Sequence, residues 1–486
     1  MTGSRLLALD LGTTGVRALL VDGEGKALAR AYRPLATRFP EPGRVEQDPE
    51  EMWQRSVEVL REALSDAGAE GIAALGVVTQ RATTVAWDAD SGAALCPALG
   101  WQDKRTEPRA AELHEMGIPI TTLPSATRFE WWLRHEPAVQ QAARAGRLCF
   151  GGPDAWLTFR LTGGAAHVTD PSQASCTGFY DLRAGRWNPD MLAFFSVEEQ
   201  TLPSVVPTAS VVGETPRELL GNTLPVAARA GDQQAATFAQ GALAAGEAKL
   251  TLGTAAMLDL NVGDTPVFPG PGVFPLALWR LGGRDAFCLE GSVITAGAVV
   301  DWLVALGLLP EAAAFDRVAG QVASAEGVAF VPALQGLGTP YFDDGARGLL
   351  GGLTRGSTAA HVVRAVLEGL AQRCVDLCDA LELAREQALR VDGGLARSNL
   401  LLQRLADLSG RPVLRAAETE TTALGAAFLA GLGAGVYDDA SHCAELAAPP
   451  RRFEPAAEPD RRAQERQRWR SVVDRARAQG AAAAVR

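Results

Sequence analysis

Leu7-Ala8-Leu9-Asp10-Leu11-Gly12-Thr13-Thr14-Gly15-Val16-Arg17-Ala18-Leu19-Leu20-Val21-Asp22 reads as two antiparallel strands joined by a tight turn. An apolar run leads into Asp10, a Gly-Thr-Thr-Gly turn follows, and a second apolar run leaves it. Such a turn is suited to phosphate. Gly12 and Gly15 let a ligand approach the backbone N–H groups, Thr13 and Thr14 add hydroxyl donors, and Asp10 at the strand end suits a hydrated Mg²⁺. An ordinary hairpin is the competing reading of this stretch taken alone. No Lys follows the glycines, as a Walker A loop requires, and a strand stands where a dinucleotide fingerprint requires a helix.

A second copy shifts the balance. Lys249-Leu250-Thr251-Leu252-Gly253-Thr254-Ala255-Ala256-Met257-Leu258-Asp259-Leu260 is again strand, Leu-Gly-Thr turn and strand, about half the chain later. Two phosphate turns in two halves point to a nucleotide gripped in a cleft, as in the actin and hexokinase-like ATPases.

Composition is consistent with this. The 486 residues suffice for two large domains, each with its own core. The net charge of −11 disfavours nucleic acid or a membrane surface as principal partner, whereas ATP needs only a local basic site. The seven cysteines lack paired metal-ligand spacing. Cys374 and Cys378, four apart on an expected helix, read as small buried hydrophobes. Met1 leads directly into the first strand and no apolar run reaches about twenty residues, so reduced thiols in a cytoplasmic protein are expected.

Along the chain, Ala27 to Tyr32 reads as a strand and Pro49 to about Ala67 as a helix, with Asp48 as N-cap and Glu51 completing a capping box. Ile72 to Thr79 is apolar enough for a buried strand, and its end delivers Gln80-Arg81-Ala82-Thr83-Thr84 to the edge where α/β domains meet ligands. Arg81 suits substrate hydroxyls or, blandly, the surface. Trp101 suits a sugar face or the core. A helix begins in Gly151 to Leu157, and 168–175 reads as a loop rich in hydroxyls. In Ala228-Arg229-Ala230-Gly231-Asp232-Gln233-Gln234, Asp232 precedes a small-residue helix and the second phosphate turn. It is placed to accept a proton from an attacking hydroxyl, to cap the helix, or to do both.

Taken together, these motifs resemble the FGGY carbohydrate kinases, and most closely the glycerol kinases. The resemblance runs from residue 5 to about 437. Besides both phosphate turns, it rests on Val45-Glu46-Gln47-Asp48-Pro49, Thr79-Gln80-Arg81, Trp101-Gln102, Ala230 to Gln234, Ala346-Arg347-Gly348, Leu353-Thr354-Arg355-Gly356, Val391-Asp392-Gly393-Gly394 and Thr422 to Ala427. The Gln-Met-His-Gly stretch of a xylulose kinase is absent.

The resemblance implies two ribonuclease-H-like α/β domains, 1–244 binding sugar and 245–450 binding nucleotide, with a helical tail over 451–486. It implies Asp232 as general base, with Asp10 and Asp232 near Mg²⁺. Arg81, Ala82, Trp101, Leu123, Asp232 and Gln233 would surround the acceptor. Gly12, Thr13, Thr14, Arg17, Gly253 and Thr254 would meet the ATP phosphates, and Gly297, Asp301, Gly394 and Ser398 the nucleoside. A homo-oligomer, dimer or tetramer, is expected. From Arg461 to Ala478 a solvated charged helix should lie on the second domain.

Four positions depart from the glycerol kinase pattern. Ala82 replaces a Glu that binds substrate hydroxyls, and Leu123 falls where a Tyr completes the pocket when the region is anchored on Trp131. Asp301 stands where Gln is expected and Ser398 where Asn is expected. The expected activity is therefore transfer of the γ-phosphate of MgATP to a polyol or ketose of four to six carbons. Glycerol in an altered pocket is the alternative, and an ATP-binding regulatory protein without phosphotransfer is the reading from another class. Asp232 and the two phosphate turns disfavour the last.

Overall fold

The computed structural model describes residues 3–68, 70–418 and 420–484. The opening hairpin is β1 (Arg5–Leu11) and β2 (Gly15–Asp22), followed by β3 (Ala27–Pro34), α1 (Pro49–Ala67) and β4 (Ile72–Thr79). After α2 (Pro153–Leu161) come β5 (Ala209–Glu214), β6 (Pro225–Gly231) and α3 (Asp232–Ala239). The six strands form one sheet in the order β5-β6-β4-β1-β2-β3, with β1, β4 and β6 parallel and the other pairings antiparallel.

The second half repeats the plan. β7 (Ala248–Leu252), β8 (Ala256–Gly263), β9 (Phe274–Leu281) and β10 (Arg284–Val293) precede α4 (Gly297–Ala305) and α5 (Ala359–Ala380). There follow β11 (Leu389–Asp392), α6 (Asn399–Ser409), β12 (Val413–Arg415), α7 (Thr421–Gly433), β13 (Arg451–Phe453) and α8 (Pro459–Ala484). The sheet order is β9-β10-β8-β7-β11-β12-β13. As in the first sheet, a central strand has its antiparallel hairpin mate on one side and a parallel strand on the other.

Both sheets are covered on both faces, which is what their near-continuous apolar strands require. On the first, Met52, Leu60 and Leu64 of α1 and Trp156 of α2 pack one face. Phe238 of α3 and Leu424, Phe428 and Leu429 of α7 pack the other, together with Leu276 and Leu278 of β9. Residues 421–433, late in the chain, thus complete the core of the first sheet. The approach is close: a Cβ on Gly425 would lie 2.0 Å from the Ala235 carbonyl oxygen, one on Gly433 2.0 Å from that of Ala227, and one on Gly76 2.1 Å from that of Ala426.

Local details differ from expectation in three places. Asp48 caps α1 by accepting from Glu50 N at 3.0 Å, while Glu51 lies 3.8 Å from Arg55 one turn on instead of completing a capping box. The 168–175 segment is not a loop: Val168–Thr169 is a short strand and Pro171–Ala174 a helical turn whose N-terminus Asp170 caps through Gln173 N. The tail helix α8 lies on the second half as expected, but one face carries a buried charge. Arg466 donates to Gln372, Asp376 and Asp379, and Trp469 donates to Asp376. The seven cysteines form no disulfide, and Cys374 and Cys378 are buried in α5. No described helix is long and apolar enough to cross a membrane.

Candidate active site

Parallel pairing sets the site. Leu11 lies opposite Thr79 and Thr79 opposite Gly231, so β1, β4 and β6 end at one edge. The Gly12–Thr14 turn, Gln80–Ala82 and Asp232 therefore emerge side by side, where parallel sheets meet ligands. In the second sheet Thr251 lies opposite Asp392, which brings the 253–254 turn to Gly393 and Gly394.

Both turns are braced. Thr13 donates its hydroxyl to Gln80 Oε1 (3.1 Å) and accepts from Trp101 Nε1 (3.1 Å), and Gln47 Nε2 donates to the Thr13 carbonyl (2.8 Å). On the second turn, Gly297 N donates to the Gly253 carbonyl at 2.9 Å. A Cβ on Gly297 would sit 2.6 Å from that oxygen, so the N-terminus of α4 closes on the turn only with glycine there. Gly393, at φ +88°, is packed equally hard on Leu252, whereas Gly394 faces open space.

Around Asp232, Arg81 is central. Its Nε lies 3.3 Å from Asp232 Oδ1 and its Nη2 2.7 Å from Glu290 Oε2, while Nη1 is buried without a partner. Gly231 makes this possible, since a Cβ there would lie 2.6 Å from Arg81 Cδ. Asp232 is the first residue of α3, with Gly231 as N-cap, and its carboxylate accepts from Gln233 N at 2.8 Å. Ala82 adopts φ +60°, and its carbonyl accepts from the buried Arg128, which also donates to the carbonyl of Leu123 (2.9 Å). The Ala82 and Leu123 departures are thereby adjacent. Trp101 is held to this wall by its backbone N–H donating to Thr83 Oγ1. The structure thus gathers Arg81, Ala82, Trp101, Leu123, Asp232 and Gln233.

On the nucleoside side, Asp301 is exposed on α4 one turn beyond Gly297. Ser398 caps α6 by accepting from Leu401 N and donates to Asp316, so its hydroxyl is committed within the protein. Arg17 lies on β2 between Asp10 (3.7 Å) and Glu420 (3.0 Å).

Burial pushes the Asp10 carboxyl up to about 7; Arg17 opposes this, while Asp232 and Glu420 add to it. Asp232 is likewise raised by burial, with Arg81 opposing. Two neighbouring carboxyls with too little positive charge fit a hard divalent cation. Among the described residues no third His, Cys, Asp or Glu completes a cage, so water and phosphate oxygens would supply the remaining ligands, as Mg²⁺ prefers.

A stability prediction follows. With its ordinary value at 3.8 and its folded value near 7, Asp10 binds its proton more tightly in the folded state, so its contribution is fully favourable below pH 3.8 and is lost as pH rises to 7. Asp10→Asn removes that loss. The ligand-free variant should melt above the wild type at pH 8, by at most about 4 kcal/mol of stability at roughly 1.36 kcal/mol per pKa unit, with the gap shrinking towards pH 4. Equal melting temperatures across a calorimetric pH series would refute this.

Three charged residues beside Arg81 are not singled out in the sequence: Lys249, Asp259 and Glu290. Lys249 and Asp259 are fully buried and paired at 2.8 Å, and Asp259 lies opposite Glu290 in the β8–β10 ladder. Burial works against Asp259's charge, but Lys249 and Arg81 hold its carboxyl below the usual range; burial drives Glu290 up to about 8. Charged residues within otherwise apolar strands are the signal that marks them.

Residues 5–239 match the N-terminal domain, and 248–434 the C-terminal domain, of the FGGY family of carbohydrate kinases. The chain is 44% identical to a glycerol kinase of Aromatoleum aromaticum, over 98% of this chain and 99% of the relative. It is 44% identical to one of Citrifermentans bemidjiense, over 96% and 98%. It superposes on the crystal structure of Plasmodium falciparum glycerol kinase with ADP at a TM-score of 0.91 and 27% identity, covering 97% of this chain and 98% of the other.

Proposed function

The chain belongs to the FGGY family of carbohydrate kinases and is an ATP-dependent phosphotransferase acting on a sugar or polyol alcohol; within that activity we propose that glycerol is its acceptor and that Asp232 accepts the proton of the attacking hydroxyl. The observation that carries the reading is Asp232 at the N-terminus of α3. Its carboxylate is about a quarter exposed to the cleft and is oriented by Arg81 and Gln233 N, within electrostatic reach of Asp10. The phosphates of ATP would lie between the two braced turns, and Arg17 adds a cation beside the first. Magnesium, held through Asp10 and Asp232, would neutralise charge on the transferred phosphoryl group. Arg81 holds Asp232 beside the acceptor, and closure of the two halves on both ligands would exclude water. A reducing, cytoplasmic compartment is supported by the seven unpaired cysteines, and a homo-oligomer is proposed.

Near full-length similarity to glycerol kinases favours glycerol over the longer acceptor expected from Ala82 and Leu123. The cavity that Ala82 borders, also lined by Thr83, Ser125, Gln173 and Thr177, holds no more than about one water and its polar groups are engaged within the protein, so the longer acceptor rests on the Ala82 and Leu123 substitutions alone. ADP release across glycerol, tetritols, pentitols and pentuloses decides. Glycerol should show the highest kcat/KM, and a higher value for any longer acceptor would establish the second reading. Ala82→Glu restores a charged acceptor of hydroxyl hydrogen bonds, for about 1.5–3 kcal/mol, and should raise kcat/KM for glycerol roughly 10- to 100-fold. An unchanged value would take position 82 out of the acceptor pocket.

A further inference from the structure

Six residues join the two sheets in a closed ring beneath the acceptor position. Asp232 faces Arg81, Arg81 faces Glu290, Glu290 lies opposite Asp259, Asp259 pairs with Lys249, Lys249 donates to Gln233, and Gln233 N donates back to Asp232. Arg81, Asp232 and Gln233 follow strands of the first sheet, whereas Lys249, Asp259 and Glu290 lie on strands of the second.

Within this ring the Lys249 ammonium has three donors and three oxygens to receive them: Gln233 Oε1 at 2.7 Å, Asp259 Oδ2 at 2.8 Å and Thr251 Oγ1 at 3.1 Å. An ammonium only donates, so the Gln233 atom that faces it must be the carbonyl oxygen. The amide is therefore not free to flip. Its Nε2 is turned away from Lys249 and forms no hydrogen bond among the described residues. Gln233 accordingly offers two N–H donors, and the ligand atom that meets them must be an acceptor: a hydroxyl oxygen or a carbonyl oxygen. Fully buried, Lys249 depends on a fixed counter-charge, and Asp259 supplies it from the neighbouring strand.

We propose that Lys249 and Asp259 are positioning residues of the acceptor site, Asp259 anchoring the ammonium that fixes Gln233 as a hydrogen-bond donor to an acceptor oxygen. This rests on the kinase reading above. Asp232 supplies an acceptor and Gln233 a donor from adjacent residues, so together they suit one alcohol carbon bearing an O–H beside a neighbouring oxygen, as in a vicinal diol.

Lys249→Met alone leaves Asp259 buried and unpaired and will destabilise the protein, so the informative variant replaces both partners, Lys249→Met with Asp259→Leu. Steady-state kinetics of the full chain are measured with glycerol and with the best longer acceptor for four proteins: wild type, the Lys249→Met/Asp259→Leu double variant, Gln233→Ala and the triple variant. The double variant should fold, raise KM for the acceptor about 5- to 30-fold, change KM for ATP less than twofold and lower kcat less than threefold. Adding Gln233→Ala to it should then cost less than twofold more, although the same change in the wild type costs about tenfold. Full additivity, or an acceptor KM that the double variant leaves unchanged, overturns the positioning role while the kinase reading stands. Should the double variant not fold, Lys249→Arg is put through the same cycle, and the same two outcomes decide. Wild-type protein that phosphorylates no alcohol overturns both.

Discussion

Asp232→Asn should lower kcat by about 10²- to 10⁴-fold and leave the affinity for ATP within about threefold of wild type. The substitution preserves size, and the Asn carbonyl can still accept from Gln233 N, so the start of α3 keeps its geometry. Arg81 retains its 2.7 Å contact with Glu290. What disappears is a carboxylate whose basicity burial has raised, which strengthens it as a proton acceptor at neutral pH. Single-turnover measurement with saturating ATP and acceptor separates this loss from binding. Turnover near wild type would remove Asp232 from the proton transfer.

The second large effect is expected far from the chemistry, at Gly425. A Cβ there would sit 2.0 Å from the Ala235 carbonyl oxygen and 2.6 Å from its carbon, both backbone atoms of α3. Neither can rotate aside, so α7 must lift from α3 and from the sheet beneath. Overpacking usually costs about 1–3 kcal/mol, and a clash between two backbones belongs at or above the top of that range. Gly425→Val should therefore cost about 3 kcal/mol or more by urea unfolding, while Gly270→Ala, with nothing within 4 Å and no positive φ, should be neutral. A Gly425→Val protein as stable as the wild type would mean that the helix has room to slide.

How much of this was legible in the sequence varied with the range of the interaction. The hairpin over Leu7–Asp22, its copy over Lys249–Leu260, β4 and α1 all follow from short-range periodicity and capping, and they stand where the pattern puts them. That the two glycine turns and Asp232 lie at strand ends was legible because glycine and carboxylate there carry a local meaning. The Lys249–Asp259–Glu290 group was not: Lys249 and Asp259 face each other across the legible hairpin, but Glu290 and Arg81 reach them only from sequence-distant segments. The position of α7 was also hidden. Thr421–Gly433 is apolar on nearly every side, which signals burial between layers but does not name the layers. Asp48 caps α1 as read, but the capping box does not form, because Arg55 offers Glu51 a partner that the first-turn motif does not count. In the tail, Arg466 reads as one more surface charge until Asp376 and Asp379, on another helix, are placed beneath it.

That α7 roofs the first sheet has a consequence for how the chain is made. A ribosome releases the six strands of that sheet by residue 231, but the helix that seals Leu6, Ala8 and Val78 is not complete until residue 433. At roughly 5–20 residues per second, about 10–40 s of synthesis separate the two events. Through that interval one face of the nascent sheet has only α3 and, later, β9 available to cover it, and its apolar strands are open to chaperones or to other unfinished chains. The first sheet's core is therefore complete only once residues 421–433 of the second half have been made.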